Sequence, residues 1–164
     1  MDYPIPREVA DGERIARSIY HPLYFKSNDR TKVLPIAYRP PYDKDEISVD
    51  RFDYSDIDSL KKAAVKRANP SCRKNYFGFD VLIAREIREI RPCYLKYSPI
   101  LNQPNCEDNI SHADIHIGYT IQKQVKIPSQ INYIFEELSS KSRVYDDNNG
   151  PQDKWGGLNF TEII

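Results

Sequence analysis

The sequence predicts an α+β domain, with a mainly antiparallel sheet of four to five strands and about three helices. The chain has 164 residues, the size of one ordinary domain. Some stretches alternate apolar and polar residues as strands do, and others repeat apolar residues at helical spacing. The two kinds of stretch do not alternate strictly along the chain, which favours α+β over a parallel sheet. Residues 1–145 are expected to form the single domain, and residues 146–164 a flexible C-terminal tail.

The first quarter of the chain is rich in proline, which interrupts regular structure. It leaves room for a short helix near residues 8–19 and an extended segment over residues 31–38. The next long stretch without proline contains the clearest helix. This helix begins at Ser55 or Asp56, either of which can cap its first turn, and it ends before Pro70.

Strands are expected to dominate the middle of the chain. Residues 76–83 alternate as a strand and continue into a short helix over residues 84–90. Residues 93–97 form a second strand, and residues 111–125 form the most regular one. A last helix begins at Pro128 and carries apolar residues on one face.

Composition bounds the classes of function. No apolar run approaches the ~20 residues that a membrane-spanning helix requires, and no signal peptide is visible, so we expect a cytoplasmic protein. The three cysteines are too widely spaced for a disulfide framework. Basic and acidic residues balance at 24 each, so no overall field attracts nucleic acid or an anionic membrane. Neither a cofactor nor a metal ion is predicted.

The longest alternating segment places His112, Asp114 and His116 on one face of a strand. The two histidines would be about 13 Å apart, since each strand residue advances ~3.3 Å, so one metal ion could not bridge them. As a catalytic row they would require a further group, for which His21 and the pair Asp50-Arg51 are candidates. The alternative is a solvated strand face, which is favoured because no nucleophile motif or phosphate-binding loop accompanies the row.

Charge is segregated locally, although it balances overall. An acidic stretch over residues 43–58 is followed by a basic one that contains no acid. A basic helix beside aromatic side chains suits single-stranded nucleic acid or an acidic partner, and a solvated helix face is the commoner alternative. The candidate nucleic-acid-binding residues are Lys61, Lys62, Lys66, Arg67, Arg73 and Lys74.

Tyrosines and the C-terminal tail favour protein binding. Tyrosine is enriched at protein interfaces, and several of the 12 tyrosines lie in the first third of the chain. The apolar end of the tail could dock into a partner's groove or fold back onto its own domain. The candidate partner-binding residues are Tyr20, Tyr24, Tyr38, Trp155, Phe160 and Ile163.

Four short blocks together resemble a family of small uncharacterised prokaryotic proteins. They are His21-Pro22, LPIAYRP at 34–40, ISVDR at 47–51 and HADI at 112–115. The resemblance implies no activity, catalytic residue or cofactor. It implies a prokaryotic accessory protein encoded beside a larger partner, as in phage-defence or mobile-element systems.

The leading hypothesis from the sequence is a non-enzymatic accessory or adaptor module that binds a larger protein partner. One alternative is a small hydrolase or nuclease that uses His112, Asp114 and His116 with His21. The other is a nucleic-acid-binding module that uses residues 61–74.

Overall fold

One antiparallel sheet of six strands organises the computed structural model, which describes residues 5–163 apart from the side chain of Phe160. The strands lie in the order β4-β5-β2-β1-β3-β6 once they are numbered along the chain. The predicted α+β class is therefore confirmed, and the described residues hold one strand more than the upper expectation. The strands are β1 (Arg14–Pro22), β2 (Glu46–Arg51), β3 (Lys74–Ile83), β4 (Tyr94–Tyr97), β5 (His112–His116) and β6 (Arg143–Asp146).

The described residues also form three α-helices: α1 (Ile57–Arg67), α2 (Ala84–Arg88) and α3 (Ser129–Lys141). The predicted helix that starts after Asp56 is confirmed as α1. The Asp56 carboxylate accepts a hydrogen bond from the Ser59 backbone N–H at 2.9 Å, as an N-cap should. Among the described residues, no helix has the length and apolar content needed to cross a membrane.

The prediction of a helix over residues 8–19 is wrong, because the chain there enters the central strand β1. Strand β1 pairs with β2 on one side and β3 on the other, and both of its faces are packed. A strand buried on both faces loses the alternation that identifies strands in a sequence. Two further segments differ: residues 35–38 form a 3-10 turn, and β5 ends at His116 rather than near residue 125.

Each face of the sheet is covered differently. On one face, α3, α2 and the 3-10 turn over residues 35–38 contribute to the larger core cluster. On the opposite face, α1 and the C-terminal segment (residues 147–163) pack on β1, β3 and β6 and form the smaller core cluster. The rest of that face is formed by β2, β5 and β4. It carries the polar side chains of Glu46, Ser48, Asp50, His112, Asp114 and His116, and we call it the open face.

The C-terminal segment docks onto its own domain. The Trp155 ring lies 5.6 Å from the Phe79 ring, and Ile163 is 2% exposed within the same cluster as α1. A buried ion pair at 2.7 Å joins Asp147 to Lys61 of α1. Folding back onto its own domain is one of the two alternatives that the sequence left open, and the structure shows these contacts. The other alternative, docking into a partner's groove, stays a prediction. The predicted partner contact of the Phe160 side chain lies outside the described residues.

Candidate functional site

The register of β2 against β5 places two polar rows side by side on the open face. Three cross-strand pairs form the double row: Asp50 with His112, Ser48 with Asp114, and Glu46 with His116. Directly opposed residues have Cβ atoms about 4.5–5.5 Å apart, so these side chains can interact. The sequence of β2 alternates polar and apolar residues as that of β5 does. This alternation is the sequence signal from which the second polar row could be predicted.

His112 is held in a defined orientation within the double row. It is 8% exposed, and its Nδ1 lies 2.7 Å from the backbone carbonyl oxygen of Ser98. A carbonyl oxygen only accepts, so Nδ1 carries the proton and Nε2 of the neutral ring keeps a free lone pair. The Ser98 hydroxyl donates to Asp114 Oδ2 at 2.6 Å, and Asp114 Oδ1 lies 3.7 Å from His112 Nε2. Ser98 therefore links the two β5 residues, and the sequence did not single it out.

Asp50 occupies a second polar cluster beside His112. The Asp50 side chain is buried, and its Oδ1 accepts hydrogen bonds from Asn109 Nδ2 at 2.8 Å and Ser111 Oγ at 3.4 Å. Its neighbour Arg51 points to the opposite side of β2. The Asp50 carboxylate thus accepts hydrogen bonds from two neutral donors.

A cavity of about 290 Å³ opens beside this double row. Arg67, the last residue of α1, contributes to its wall and donates a hydrogen bond to Ser18 Oγ at 3.1 Å. Lys74, the first residue of β3, also lines it, and its ammonium lies 5.7 Å from the centre of the Tyr24 ring. His112 and Asp50 form part of the same wall. Two features that the sequence presented separately, the histidine row and the basic stretch, therefore meet at one cavity.

The other members of the basic stretch lie elsewhere. Lys61 is 3% exposed and is bound to Asp147. The ammonium of Lys66 lies 2.5 Å from the Glu107 carboxylate, and Lys62 and Arg73 are exposed away from the cavity. Of the six basic residues, only Arg67 and Lys74 therefore line the cavity.

The remaining two histidines are separate from His112. His116 stacks on Tyr94 with ring centres 4.7 Å apart, and its Nδ1 lies 3.3 Å from Asp45 Oδ1. The His21 ring lies 5.6 Å from the ring of Phe77, and it does not line the cavity. Burial, with the charge of Arg30, lowers the pKa of His21. The structure does not bring together the predicted row and His21.

The three tyrosines proposed to bind a partner are buried. Tyr20 and Tyr24 are each 5% exposed and Tyr38 is fully buried. The Tyr20 hydroxyl donates to the Ala64 carbonyl oxygen at 2.8 Å, and the Tyr38 hydroxyl donates to Asp80 Oδ2 at 2.6 Å. Their contact with a partner stays a prediction, and they display almost no ring surface to solvent.

Comparisons with protein-family models, with curated proteins and with solved structures find no match to this chain.

Proposed function

We propose that the protein binds a small phosphate-bearing ligand of about nucleotide size in the cavity on the open face. We further propose that His112 acts there as an acid–base group, which makes the protein a small hydrolase of phosphate esters. The observation that carries the proposal is the meeting of Arg67, Lys74 and His112 at one cavity.

Charge supports an anionic ligand. Guanidinium and ammonium groups are the usual partners of phosphate oxygens. Basic side chains outnumber acidic ones around the cavity: the basic ones are Arg17, Lys44, Arg67 and Lys74, and the acidic ones are Glu46 and Asp50.

Size supports a small ligand rather than a macromolecule. The volume of about 290 Å³ lies just below the ~300–1,000 Å³ typical of small-molecule pockets. The basic residues outside the cavity are paired or dispersed, so they add little to a continuous nucleic-acid track.

The arrangement of His112 supports acid–base chemistry. A general base needs a free lone pair within reach of the proton that it removes. The hydrogen bond from Nδ1 to Ser98 leaves Nε2 in that state. Asp114 lies close enough to Nε2 to stabilise the imidazolium that forms when the ring accepts a proton.

A protein-binding adaptor is the competing proposal, with less support from the geometry. Its tyrosines are buried, and its apolar tail residues Trp155 and Ile163 pack on the chain's own domain. A cytoplasmic, prokaryotic accessory role is compatible with either proposal.

Calorimetric titration with nucleoside monophosphates and with inorganic phosphate tests the binding step. We expect Arg67→Ala and Lys74→Ala each to weaken binding at least about 10-fold, because each removes a charged hydrogen-bond donor. Lys62→Ala is the matched control, since Lys62 is exposed on the same helix and does not line the cavity. Binding that is equally weakened in the control would count against the cavity.

Hydrolysis of phosphate mono- and diesters tests the chemical step. His112→Gln should retain ligand binding while turnover falls by about 100-fold or more, the usual contribution of a general base. A variant that still turns over at the wild-type rate would remove His112 from the mechanism.

A further inference from the structure

We propose that Asp45, Glu46 and His116 bind one divalent transition-metal ion, such as Mn²⁺, at the rim of the cavity. One ligand atom from each of these side chains lies within 4.8 Å of the other two. Strand geometry predicts that one metal ion cannot be shared by His112 and His116. The proposed site instead combines His116 with the carboxylates of Glu46, the first residue of β2, and of Asp45, which precedes it.

Pairing of the two strands brings the three side chains together. Glu46 is directly opposite His116 in the β2–β5 register. Asp45 precedes β2, and its backbone carbonyl accepts a hydrogen bond from the Ile117 N–H at 3.0 Å. This bond extends the ladder by one residue, so Asp45 is held beside the end of β5.

The histidine is already oriented. Its ring stacks on Tyr94 with an interplanar angle of 5° and a centre-to-centre distance of 4.7 Å. Its Nδ1 lies 3.3 Å from Asp45 Oδ1. An ion with bonds of about 2.1 Å holds neighbouring ligand atoms about 3.0–3.5 Å apart, so two of the ligands are at a suitable spacing. The ligand atom of Glu46 lies within 4.8 Å of both.

The chemistry of the donors identifies the class of ion. Carboxylate oxygens suit Mg²⁺ and Mn²⁺, and an imidazole nitrogen favours transition metals over Mg²⁺ and Ca²⁺. Three protein ligands leave coordination positions open for water or a ligand oxygen, which is the pattern of catalytic rather than structural sites.

Lys44 is the internal competitor for this ion. Its ammonium lies 3.4 Å from Glu46 Oε1, and its side chain is 57% exposed, so it can move away when a cation binds. Removal of the Lys44 charge should therefore strengthen binding of the ion. This is an increase in affinity that a merely structural role for the cluster would not produce.

Glu46 and Lys44 also line the cavity, so a bound ion would face the phosphate-bearing ligand. There it would neutralise phosphate charge and lower the pKa of a bound water. This part rests on the proposed function, whereas binding of the ion alone does not.

Titration of the full-length protein with Mn²⁺, followed by the loss of the free-ion electron paramagnetic resonance signal, tests the site without any ligand. We expect one ion per chain. Asp45→Asn and His116→Gln should each weaken binding by at least about 10–100-fold, the range seen even for the loss of an outer-shell partner. Lys44→Gln should tighten it.

His112→Gln is the matched control, because it removes the other β5 histidine from the same face and should leave Mn²⁺ affinity unchanged. Circular dichroism of each variant shows whether the sheet is retained, and the isosteric Asp45→Asn keeps the test open if His116→Gln fails to fold. The proposal is overturned if Mn²⁺ does not bind stoichiometrically, or if a folded Asp45→Asn variant binds as the wild type does. Metal binding without any phosphate binding would refute the proposed function alone.

Discussion

Replacement of the buried Asp80 by Asn should change how stability depends on pH. Burial raises the pKa of this carboxyl to about 6 from a usual value of 3.8, although Ser142, Tyr38, Lys32 and Arg17 all favour its charged form. Desolvation therefore outweighs the hydrogen bonds and nearby charges. Asn has the same shape and can still accept the Tyr38 hydroxyl hydrogen bond through its amide oxygen.

The magnitude follows from the pKa difference. A shift of about 2 pKa units corresponds to about 3 kcal/mol, at 1.36 kcal/mol per unit. The folded state binds this proton more tightly than the unfolded chain does. The stabilisation is therefore fully present below about pH 4 and is lost as the pH rises through about 6. Asn does not titrate, so the stability of the Asp80→Asn variant should not show this fall. As the pH rises from 4 to 8, the difference in free energy of unfolding between variant and wild type should therefore shift by about 3 kcal/mol in favour of the variant.

Urea unfolding at several pH values measures this difference, with the fluorescence of the only tryptophan, Trp155, as the signal. Asp43→Asn is the control, because it removes a carboxylate from an exposed position. The two stability profiles should diverge for Asp80→Asn and stay parallel for Asp43→Asn. If the Asp80→Asn difference stays within about 0.5 kcal/mol across the range, then Asp80 is solvated and the reasoning fails.

Three further changes test the packing of α1 and the C-terminal segment. Lys61→Met should lower the free energy of unfolding by about 3–5 kcal/mol, since it leaves the buried Asp147 carboxylate without its ion-pair partner. Thermal denaturation measures this loss. The control is the exposed Lys62→Met, whose stability should lie within about 0.5 kcal/mol of the wild type. Trp155→Ala should lower the free energy of unfolding by about 2 kcal/mol, less than for a fully buried ring because the residue is half-buried. Urea unfolding followed by circular dichroism measures this free energy. An unchanged value would mean that the C-terminal segment is undocked in solution. Asp56→Ala should cost about 1 kcal/mol through loss of the N-cap, whereas Asp56→Asn should cost a few tenths, so equal losses in thermal melts would contradict the capping role.

Local signals predicted the elements whose environments are one-sided. Helix α1 is predicted from the sequence because its cap at Asp56 and the proline that follows its end, Pro70, are both local signals. Strand β5 was found because one face is apolar and the other polar. Strand β1 was missed because it is central, and burial of both faces removes the alternation.

The candidate site shows the same division. The sequence by itself determined the polar row of His112, Asp114 and His116, because the side-chain period of a strand is a local property. Only the tertiary structure decided that Asp50 lies opposite His112 and that Arg67 reaches the same cavity. Such pairings depend on strand register and helix packing between segments far apart in the chain, and a single sequence does not encode these distances in any local pattern.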